Sequence, residues 1–297
     1  MTESLRQLLQ QTGLGAHWQL SSLSGGCIGQ SYRAVNEFDH CYFVKHHPHP
    51  PRNFFQAEAA GLQALADSDT LPIPKVYTAD AQLLVLEMIR PCPPSKTHWR
   101  KLGHQLASLH QQPQPDFGFN RSTYCGLSEQ SNSTDPDGCR FFAQQRLLPQ
   151  GRRAYNKGLL DNAMMKRLER LCERLQQLIP EQPAVLIHGD LWSGNVLFGS
   201  PEHGPGQTEG PMTADCRPYL IDPAVYHGWA EADLAMTRLF GGFDPEFYAA
   251  YLEANPLASG WQERQPLYNL YHLLNHLNLF GSSYLASVNE VLNRYQD

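Results

Sequence analysis

The chain has 297 residues, of which 41% are hydrophobic, and this combination excludes a disordered chain, a collagen-like repeat and a disulfide-held miniprotein. It carries 29 acidic and 23 basic residues, so its net charge of −6 argues against a dedicated binder of nucleic acids or anionic membranes. At about 150 residues per domain, this length allows two domains or two lobes.

The N-terminal segment and the cysteines indicate where the protein resides. Residues 1–11 have the polar amphipathic pattern of a helix and do not read as a signal peptide. No apolar run approaches the roughly 20 residues that are needed to span a bilayer. The seven cysteines are widely spaced without a Cys-x-x-Cys pair, which favours reduced thiols over a disulfide framework or a zinc site. We therefore expect a cytoplasmic protein with no membrane partner.

Residues 18–88 are predicted to form a strand-rich region. Short runs bounded by Gly, Asn, Asp and Pro predict strands at Ser31–Val35, Cys41–Lys45 and Leu83–Met88. A helix interrupts these strands, because the residues of one face repeat at i, i+4, i+8 and i+11. The residues of this helical stripe are Phe54, Glu58, Leu62 and Leu65.

The proline-rich segment 91–94 predicts a linker between an N-terminal lobe, residues 1–90, and a C-terminal lobe, residues 91–297. Leucines with helical spacing predict three helices in the C-terminal lobe. They are Leu102, Leu106 and Leu109, then Leu168, Leu171 and Leu175, and finally Leu267, Leu270, Leu274 and Leu277.

Short strands are predicted between these helices, at Ala184–Ile187, Val196–Phe198 and Tyr219–Ile221. Residues Gly199–Pro218 are polar and rich in Gly and Pro, and we expect a mobile surface loop there. The predicted fold class is α+β, with a small strand-rich lobe, a hinge and a larger, mainly helical lobe.

A glycine-rich loop lies between two predicted strands at residues 24–29. Its glycines would let the backbone approach a ligand and point N–H groups at phosphate, although many such hairpins are only structural. No Gly-Lys-Ser/Thr follows, so the segment is not a Walker A loop. The candidate phosphate-binding residues are Gly25, Gly26, Cys27, Ile28 and Gly29.

Lys45 and Glu58 are predicted to form an ion pair. Lys45 ends a predicted strand, where a lysine is normally solvated. Glu58, however, lies on the apolar stripe of the following helix, where an unpaired carboxylate would be costly to bury. Lys45 is the nearest candidate cation, and such a pair downstream of a glycine loop is how kinase-like proteins orient ATP phosphates.

The strongest chemical signal is the motif His-Gly-Asp-Leu-Trp-Ser-Gly-Asn at residues 188–195. Asp190 and Asn195 have the five-residue offset of a kinase catalytic loop, in which the Asp accepts the substrate hydroxyl proton and the Asn holds magnesium. Asp222 follows at a predicted strand end, where a second magnesium ligand is expected. The order of these residues predicts a phosphotransferase that uses ATP and Mg²⁺.

The connection between the lobes is the expected place for the adenine of ATP. We expect the base to bond to backbone groups near Glu87, Met88 and Ile89. Asp-Pro-Ala at residues 222–224 stands in place of Asp-Phe-Gly, and no Ala-Pro-Glu motif is evident. The acceptor is therefore expected to be the hydroxyl of a small molecule rather than a protein side chain.

Four segments resemble the fructosamine (ketosamine) kinase family, which belongs to the aminoglycoside and choline kinase-like superfamily. His-Gly-Asp-x4-Asn alone indicates the superfamily, whereas the Trp after the Asp, the Asp-Pro-Ala and the His-Leu-Asn-Leu-Phe-Gly tail indicate the family. The resemblance extends from about Ser24 to the end of the chain. The four segments are His188–Asn195, Ile221–Tyr226, Glu231–Met236 and Asn275–Gly281.

The resemblance implies a two-lobed protein-kinase-like fold and a kinase for the sugar 3-hydroxyl of ketosamines, with ATP and Mg²⁺. The acceptors that it implies are ribulosamines, erythrulosamines or fructosamines on free amines or on protein lysines. Within this family, Asp190 would be the proton acceptor, and Asn195 and Asp222 would hold the metal. No nucleic-acid partner is expected, and a monomer and a homodimer are both open.

Trp192 and His276 are candidates for binding the acceptor. Trp192 follows the catalytic turn and either forms an apolar wall for a sugar face or packs in the core. His276 lies in the family-like tail and either lines the acceptor pocket or packs, whereas His272, one helical turn earlier, is predicted to pack. Cys27 is either an ordinary packed residue or a redox-active thiolate.

The chain departs from the family pattern in two places. The family commonly carries tryptophans between a Gln-x-Asn segment and the next helix, where this chain has Thr134 and Gly138. Trp229 and Ala230 stand where the family usually has polar or charged residues. These departures leave the catalytic set intact but bear on sugar preference and acceptor size.

Two alternative functions remain open at this point. The first is a kinase for another small hydroxylated amine, such as an aminoglycoside or a choline-like molecule, whose cationic character would call for a pocket lined by carboxylates. The second is a non-catalytic nucleotide-binding pseudokinase. A pseudokinase is expected to lack Lys45, Asp190 or Asp222, and this chain has all three.

Overall fold

The computed structural model describes residues 2–23, 29–202 and 215–296 of the protein. The strands of its N-terminal region are β1 (Trp18–Leu23), β2 (Gln30–Asn36), β3 (Cys41–His46), β4 (Val76–Ala79) and β5 (Leu83–Glu87). They form one antiparallel sheet in the order β1-β2-β3-β5-β4. This sheet confirms the predicted strand-rich N-terminal region.

Two helices pack against this sheet, α1 (Thr2–Gln11) and α2 (Phe54–Asp67). Successive residues of a strand point to opposite faces of its sheet. On β5, Leu83 and Val85 pack with residues of α1, whereas Leu84 and Leu86 pack with residues of α2. Because each face carries a helix, β5 is an unbroken apolar run instead of an alternating one.

Short strands and one hairpin form the sheets of the C-terminal region. The strands are β6 (Ile89–Pro91), β7 (Pro113–Gln114), β8 (Thr123–Cys125), β9 (Ser128–Gln130), β10 (Ala184–Ile187), β11 (Val196–Pro201), β12 (Arg217–Leu220) and β13 (Tyr226–Gly228). They pair antiparallel in the orders β13-β10-β7, β12-β11-β6 and β8-β9. Because β6 closely follows β5 and pairs with β11, it joins the two regions of the molecule.

Helices make up most of the C-terminal region. They are α3 (Lys96–His110), α4 (Gly138–Phe141), α5 (Leu148–Asn156), α6 (Asn162–Glu173), α7 (Leu175–Leu178), α8 (Ala230–Leu239), α9 (Pro245–Ala254), α10 (Trp261–Phe280) and α11 (Leu285–Arg294). A π-helical segment, Phe142–Leu147, joins α4 to α5. In the described ranges, no helix is both long and apolar enough to cross a membrane.

The core of the C-terminal region forms around α10. Its predicted stripe of leucines is fully buried, and each such side chain contributes roughly 1.5–3 kcal/mol by leaving water. These residues are Leu267, Leu270, Leu274 and Leu277. The α+β, two-lobed fold is therefore confirmed. The buried leucines fix helix α10, whose C-terminal half carries His272 and His276.

The predicted helix that contains both Leu168 and Leu175 is wrong in its extent. Helix α6 ends at Glu173, and α7 begins at Leu175. The backbone N–H of Arg174 donates to Leu171 O, three residues back, and its φ of −104° lies outside the helical range. This tighter turn separates the two helices while leucines on both remain buried.

The predicted surface loop Gly199–Pro218 is wrong at both ends. Gly199 to Pro201 continue β11, and Arg217 and Pro218 already belong to β12. A Cβ on Gly199 would lie 2.5 Å from Arg90 O, so glycine is the residue that lets β6 approach β11. Close strand pairing thus overrides the turn preference of Gly and Pro.

Two of the cysteines are joined, contrary to the expectation of reduced thiols throughout. Cys92 and Cys216 form a disulfide with a Cα–Cα distance of 6.3 Å. Cys92 follows β6, and Cys216 immediately precedes β12. The bond therefore fastens the connection between the regions to the strand that leads to Asp222.

Candidate active site

Lys45 is held by two carboxylates from different parts of the fold. It lies near the end of β3, and its Nζ is 2.6 Å from Glu58 Oε1 on α2 and 2.5 Å from Asp222 Oδ1. Only 14% of the Lys45 side chain is exposed. Burial alone would lower the pKa of Lys45, but the charges of Asp222 and Glu58 outweigh it and raise that pKa. The expected Lys45–Glu58 pair is present, and Asp222 is added to it.

The backbone after Asp222 is fixed by the β8–β9 hairpin. Asp222 has a left-handed φ of 56°, which turns the chain sharply after β12. Gln130 Nε2 donates to Ala224 O at 3.0 Å, and Thr123 Oγ1 donates to Val225 O at 3.3 Å. The Gln130 side chain is in turn held by the Tyr271 hydroxyl, which donates to its Oε1 at 2.6 Å. This network positions the carboxylate of Asp222 towards Lys45.

The turn before Asp190 is anchored to a buried carboxylate that sequence reasoning missed. Asp233 on α8 accepts hydrogen bonds from the backbone N–H of His188, at 2.7 Å, and of Gly189, at 2.9 Å. Gly189 has a φ of +79°, and a Cβ there would lie 2.2 Å from Ala224 O. Asp233 lies in the Glu-Ala-Asp segment that carries part of the family resemblance, but its role is visible only in three dimensions.

Asp190 and Asn195, whose spacing predicts a kinase-like catalytic loop, lie in contact. Asn195 Nδ2 donates to Asp190 O at 2.8 Å and lies 3.4 Å from Asp190 Oδ2. Burial, aided by the charge of Asp222, raises the pKa of Asp190 to about 7. A carboxyl with a pKa near neutrality is suited to accept and release a proton at physiological pH.

The donor chemistry of Asn195 and Asp222 fits a magnesium ion. Asn195 uses its amide nitrogen on Asp190, so its carbonyl oxygen is the atom suited to a cation. Asp222 supplies carboxylate oxygens and is 40% exposed. Mg²⁺ prefers such oxygen ligands and keeps several waters besides one or two carboxylates. These two residues would therefore hold the metal, with Lys45 beside it.

Most of the predicted phosphate-binding loop, Gly25 to Ile28, lies outside the described residues, and with it the predictions for Cys27. Gly29 is described and has a φ of +77°. A Cβ on Gly29 would lie 2.9 Å from His46 O, so the loop needs glycine where it enters β2.

An apolar cluster of side chains lies beside the lobe connection where adenine binding is predicted. Val35, Cys41 and Met88 form a buried cluster, with Leu23 and Phe43 packed against it. These side chains come from three adjacent strands and the connection, which suits a flat aromatic base.

Several backbone groups of the predicted adenine site are already hydrogen-bonded within the protein. Met88 O accepts a hydrogen bond from the N–H of Glu202 at 2.7 Å, and Glu87 N donates to Lys75 O at 2.8 Å. Ile89 belongs to β6 and pairs with Pro201. The base would therefore have to use the other backbone groups of this connection.

The acceptor candidates Trp192 and His276 lie on one aromatic surface. Trp192 and His276 each pack against Phe240, with ring centroids 6.1 and 5.2 Å apart. His276 also contacts the rings of Phe280 and Tyr284. Phe240 is 43% exposed and Phe280 58% exposed. The Trp192 side chain is partly buried, and its ring packs over Gly194.

His272 and Cys125 are brought beside Asp190, which sequence reasoning did not predict. His272 was expected to pack, and it is buried, but its Nδ1 lies 3.9 Å from Asp190 Oδ1 and 4.0 Å from Cys125 Sγ. Burial lowers the pKa of His272 to about 3, so its imidazole is neutral. Cys125 lies on the β8–β9 hairpin, 147 residues from His272 along the chain, so no local pattern could have joined them.

The two departures from the family pattern compensate for each other in space. Gly138 begins α4, and a Cβ there would lie 2.6 Å from Cζ2 of Trp229 and 2.5 Å from Cζ of Phe117. The Trp229 side chain is buried and also packs on Phe142 and Tyr268. A large ring from residue 229 thus fills the space beside residue 138, which places Gly138 and Trp229 in the core, whereas Thr134 is exposed and Ala230 is partly buried.

The fold and the site together define a class of protein. A lysine–glutamate pair joins a strand and a helix of a sheet-based lobe, and an Asp-x4-Asn turn with a further Asp faces it from a helical lobe. This is the arrangement of a kinase with the protein-kinase-like fold.

Comparison with known proteins identifies the family. The family model for fructosamine kinase matches residues 1–297. A "Probable ketoamine kinase" of Enterococcus faecium is 38% identical over 277 residues, which cover 91% of this chain and 93% of the relative. A "Probable ketoamine kinase" of Synechocystis is 37% identical over 299 residues, which cover 97% of this chain and 94% of the relative. The chain belongs to the fructosamine kinase family.

Solved structures agree with this assignment. The crystal structure of a "putative fructosamine-3-kinase" from Thermobifida fusca matches with a TM-score of 0.85 and 32% identity, covering 98% of this chain and 97% of that one. An aminoglycoside phosphotransferase solved with streptomycin and ATP matches with a TM-score of 0.62 and 14% identity. The match covers 100% of this chain and 97% of the phosphotransferase. At this identity the second match shows the fold alone.

Proposed function

We propose that the protein transfers the γ-phosphoryl group of ATP to the 3-hydroxyl of a ketosamine, such as a ribulosamine, erythrulosamine or fructosamine, on a free or protein-bound amine. The observation that carries this proposal is the buried contact of Lys45 with both Glu58 and Asp222, facing the Asp190–Asn195 turn. Family membership supports the choice of a ketosamine as acceptor.

In this proposal, the nucleotide is held by the sheet-based lobe. Lys45, fixed by Glu58, contacts the phosphates, and the backbone N–H groups of the loop at residues 24–29 add further donors. The adenine lies against the apolar cluster of Val35, Cys41 and Met88. Asn195 and Asp222 hold Mg²⁺, which when bound neutralises charge on the transferring phosphoryl group.

Asp190 acts on the acceptor. Its carboxylate orients the sugar hydroxyl and takes the hydroxyl proton as the oxygen bonds to the γ-phosphorus and the bond to the β-γ bridging oxygen breaks, which releases ADP. A positioned base of this kind typically contributes about 10²–10⁴-fold to the rate. Asp233 keeps the turn in place through the N–H groups of His188 and Gly189.

The aromatic surface of Trp192, Phe240 and His276 is suited to a ketosamine. Sugars present apolar C–H faces that pack on aromatic rings, whereas a polycationic aminoglycoside calls for several carboxylates. The rings of this surface are uncharged, since burial lowers the pKa of His276. This composition favours the ketosamine over a polycationic aminoglycoside.

A substrate panel tests the proposal. The purified protein with Mg-ATP is offered ribulosamines, erythrulosamines and fructosamines on free lysine and on a glycated protein, together with aminoglycosides and choline. ADP release measures turnover, and NMR of the product locates the phosphate. We expect ketosamines to be turned over with phosphate on O3, and the Asp190→Asn variant to be the inactive control.

Other outcomes would contradict the proposal in different ways. Preference for an aminoglycoside or choline would select the alternative small-molecule kinase. Mg-ATP binding without turnover of any acceptor would select the pseudokinase. Phosphate on a hydroxyl other than O3 would contradict the proposed position of the acceptor.

A further inference from the structure

Cys125, His272 and Asp190 form a cluster that the phosphotransfer chemistry does not use as a unit. One ligand atom from each of the three residues lies within 4.8 Å of the other two. In the part of the chain that the structure describes, this is the one such group of three or more His, Cys, Asp or Glu residues. We propose that this cluster binds a Zn²⁺ ion, which blocks the acceptor hydroxyl from Asp190.

The distances suit a bridging ion better than direct bonds. His272 Nδ1 lies 3.9 Å from Asp190 Oδ1, which is longer than an ordinary hydrogen bond between nitrogen and oxygen, and 4.0 Å from Cys125 Sγ, at the outer limit for a hydrogen bond to sulfur. Around a tetrahedral zinc ion with bonds of about 2.0–2.3 Å, neighbouring ligand atoms lie roughly 3.3–3.6 Å apart. Movements below about 1 Å for each ligand would therefore close the site.

The donor types distinguish this site from the magnesium site. Thiolate, imidazole and carboxylate are ligands that zinc takes, whereas Mg²⁺ prefers oxygen alone. A thiolate and a carboxylate balance the charge of Zn²⁺, and the imidazole of His272 is neutral, so the occupied cluster carries no net charge. On binding, the thiol of Cys125 loses its proton to the solvent.

The surroundings orient the ligands and leave a way in. Asn275 Nδ2 donates to Cys125 O at 3.1 Å and contacts Cys125 Sγ at 3.3 Å, which is the kind of outer contact that steadies a metal ligand. The Asp190 side chain is 19% exposed, whereas Cys125 and His272 are buried. An ion would therefore enter along Asp190, and a water molecule would complete its coordination.

Metal binding can be measured without turnover. The reduced, chelator-stripped protein, saturated with Mg²⁺ and a non-hydrolysable ATP analogue, is titrated with Zn²⁺ against a chromophoric chelator, and with Co²⁺ in an absorption spectrometer. We expect one ion per chain and a sulfur-to-cobalt charge-transfer band. Cys125→Ala and His272→Asn should each weaken Zn²⁺ binding by at least about 100-fold.

Matched controls separate this cluster from other sites. Cys172→Ala removes a free cysteine on α6 and should leave Zn²⁺ binding unchanged. Binding that survives Cys125→Ala would overturn the proposal, because zinc would then be at the Asn195–Asp222 pair or at another thiol. If the Cys125→Ala variant does not fold, X-ray absorption spectroscopy of the zinc-loaded parent protein tests the proposal instead. A zinc coordination shell that lacks one sulfur ligand at about 2.3 Å would overturn the proposal.

The inhibitory consequence rests on the proposed function. With a ketosamine that the protein phosphorylates, Zn²⁺ should compete with the acceptor, and excess Mg-ATP should not relieve the inhibition. Zinc inhibition that is competitive with Mg-ATP instead would overturn the blocking of Asp190. If no acceptor is turned over, the proposed function fails, but the cobalt band and the effect of Cys125→Ala still test the metal site.

Discussion

At the scale of single residues, the carboxylates of Asp190 and Asp222 both lie beside the space in which a phosphoryl group would be transferred. Burial and, after it, the charge of Asp222 raise the pKa of Asp190, and Lys45 Nζ lies 2.5 Å from Asp222 Oδ1. The lysine and a divalent cation are the groups that can balance this charge. Removing a single carboxylate should therefore have different effects at the two aspartates.

Asp190→Asn should keep nucleotide binding and lose turnover. The amide has the shape of the carboxyl group but cannot take a proton, so kcat should fall by at least about 10²-fold while the Kd of Mg-ATP stays within a few fold. Steady-state kinetics with a saturating ketosamine and calorimetric titration of the nucleotide measure the two effects. Turnover near that of the parent would contradict the role given to Asp190.

Asp222→Ala should weaken nucleotide binding that depends on Mg²⁺ and should abolish transfer, because the variant loses a metal ligand. Asp215→Ala is the matched control, since this side chain is 80% exposed and lies 3.8 Å from Arg217 at the surface. Nucleotide titrations with and without EDTA compare the variants. Equal losses at the two positions would mean that the metal site has been misplaced.

At the scale of elements, helix α8 supports the catalytic turn through one buried carboxylate. Asp233 accepts two backbone N–H groups of the turn, and His110 Nε2 of α3 lies 3.4 Å from its Oδ2. Burial alone would raise the pKa of Asp233, but His110 and the backbone donors hold it below 3.8. The ionised carboxylate therefore stabilises the fold at neutral pH, and this stability is lost as the pH falls from 3.8 through the folded value.

Asp233→Asn should destabilise the protein by about 1–3 kcal/mol at pH 7, because an amide cannot accept both backbone donors. The difference in unfolding free energy between parent and variant should narrow below pH 3.8, where the parent carboxylate becomes protonated. Urea unfolding at several pH values measures this difference. A gap that is independent of pH would mean that the charge of Asp233 does not support the turn.

The packing of α4 against residue 229 should be sensitive to volume on both sides. Gly138→Ala introduces a Cβ into the rings of Trp229 and Phe117 and should cost about 1–3 kcal/mol. In a Trp229→Phe background this cost should fall by at least about 0.5 kcal/mol, because the smaller ring frees part of the space. Unfolding free energies of the two single variants and the double variant form the cycle. Strict additivity would show that the two departures from the family pattern are independent.

At the scale of the whole molecule, the sequence predicts what depends on local patterns. The apolar stripe that carries Glu58 predicts its partner Lys45, and the five-residue offset of Asp190 and Asn195 predicts a kinase-like catalytic loop. Periodic leucines likewise predict α10 because a fully buried stripe repeats along one helix. In each case the evidence lies within a short stretch or in one charge that must be neutralised.

Contacts between distant parts of the chain are what the sequence leaves open. Three such contacts join distant positions. The β8–β9 hairpin places Cys125 beside His272, and Asp233 of α8 binds the backbone of the turn before Asp190. The ring of Trp229 fills the space beside Gly138. None of these contacts has a periodic signal of its own. The extent of β11 is missed for the same reason, since its pairing with β6 and β12 outweighs the turn preference of the Gly and Pro in it.

The Cys92–Cys216 disulfide should stabilise the whole molecule, because it closes a long loop. Its ends are 124 residues apart, so the bond removes many conformations from the unfolded chain. We expect Cys216→Ser to be about 2–4 kcal/mol less stable than the oxidised parent and equal to the reduced parent. Urea unfolding with and without a thiol reductant measures the stabilities, and non-reducing peptide mapping detects the disulfide.

Cys139→Ser is the control, because it removes a free cysteine and should retain the response of the parent to reductant. Free thiols at both positions in the peptide map, or equal stability of the oxidised and reduced parent, would contradict this account of the connection between the lobes.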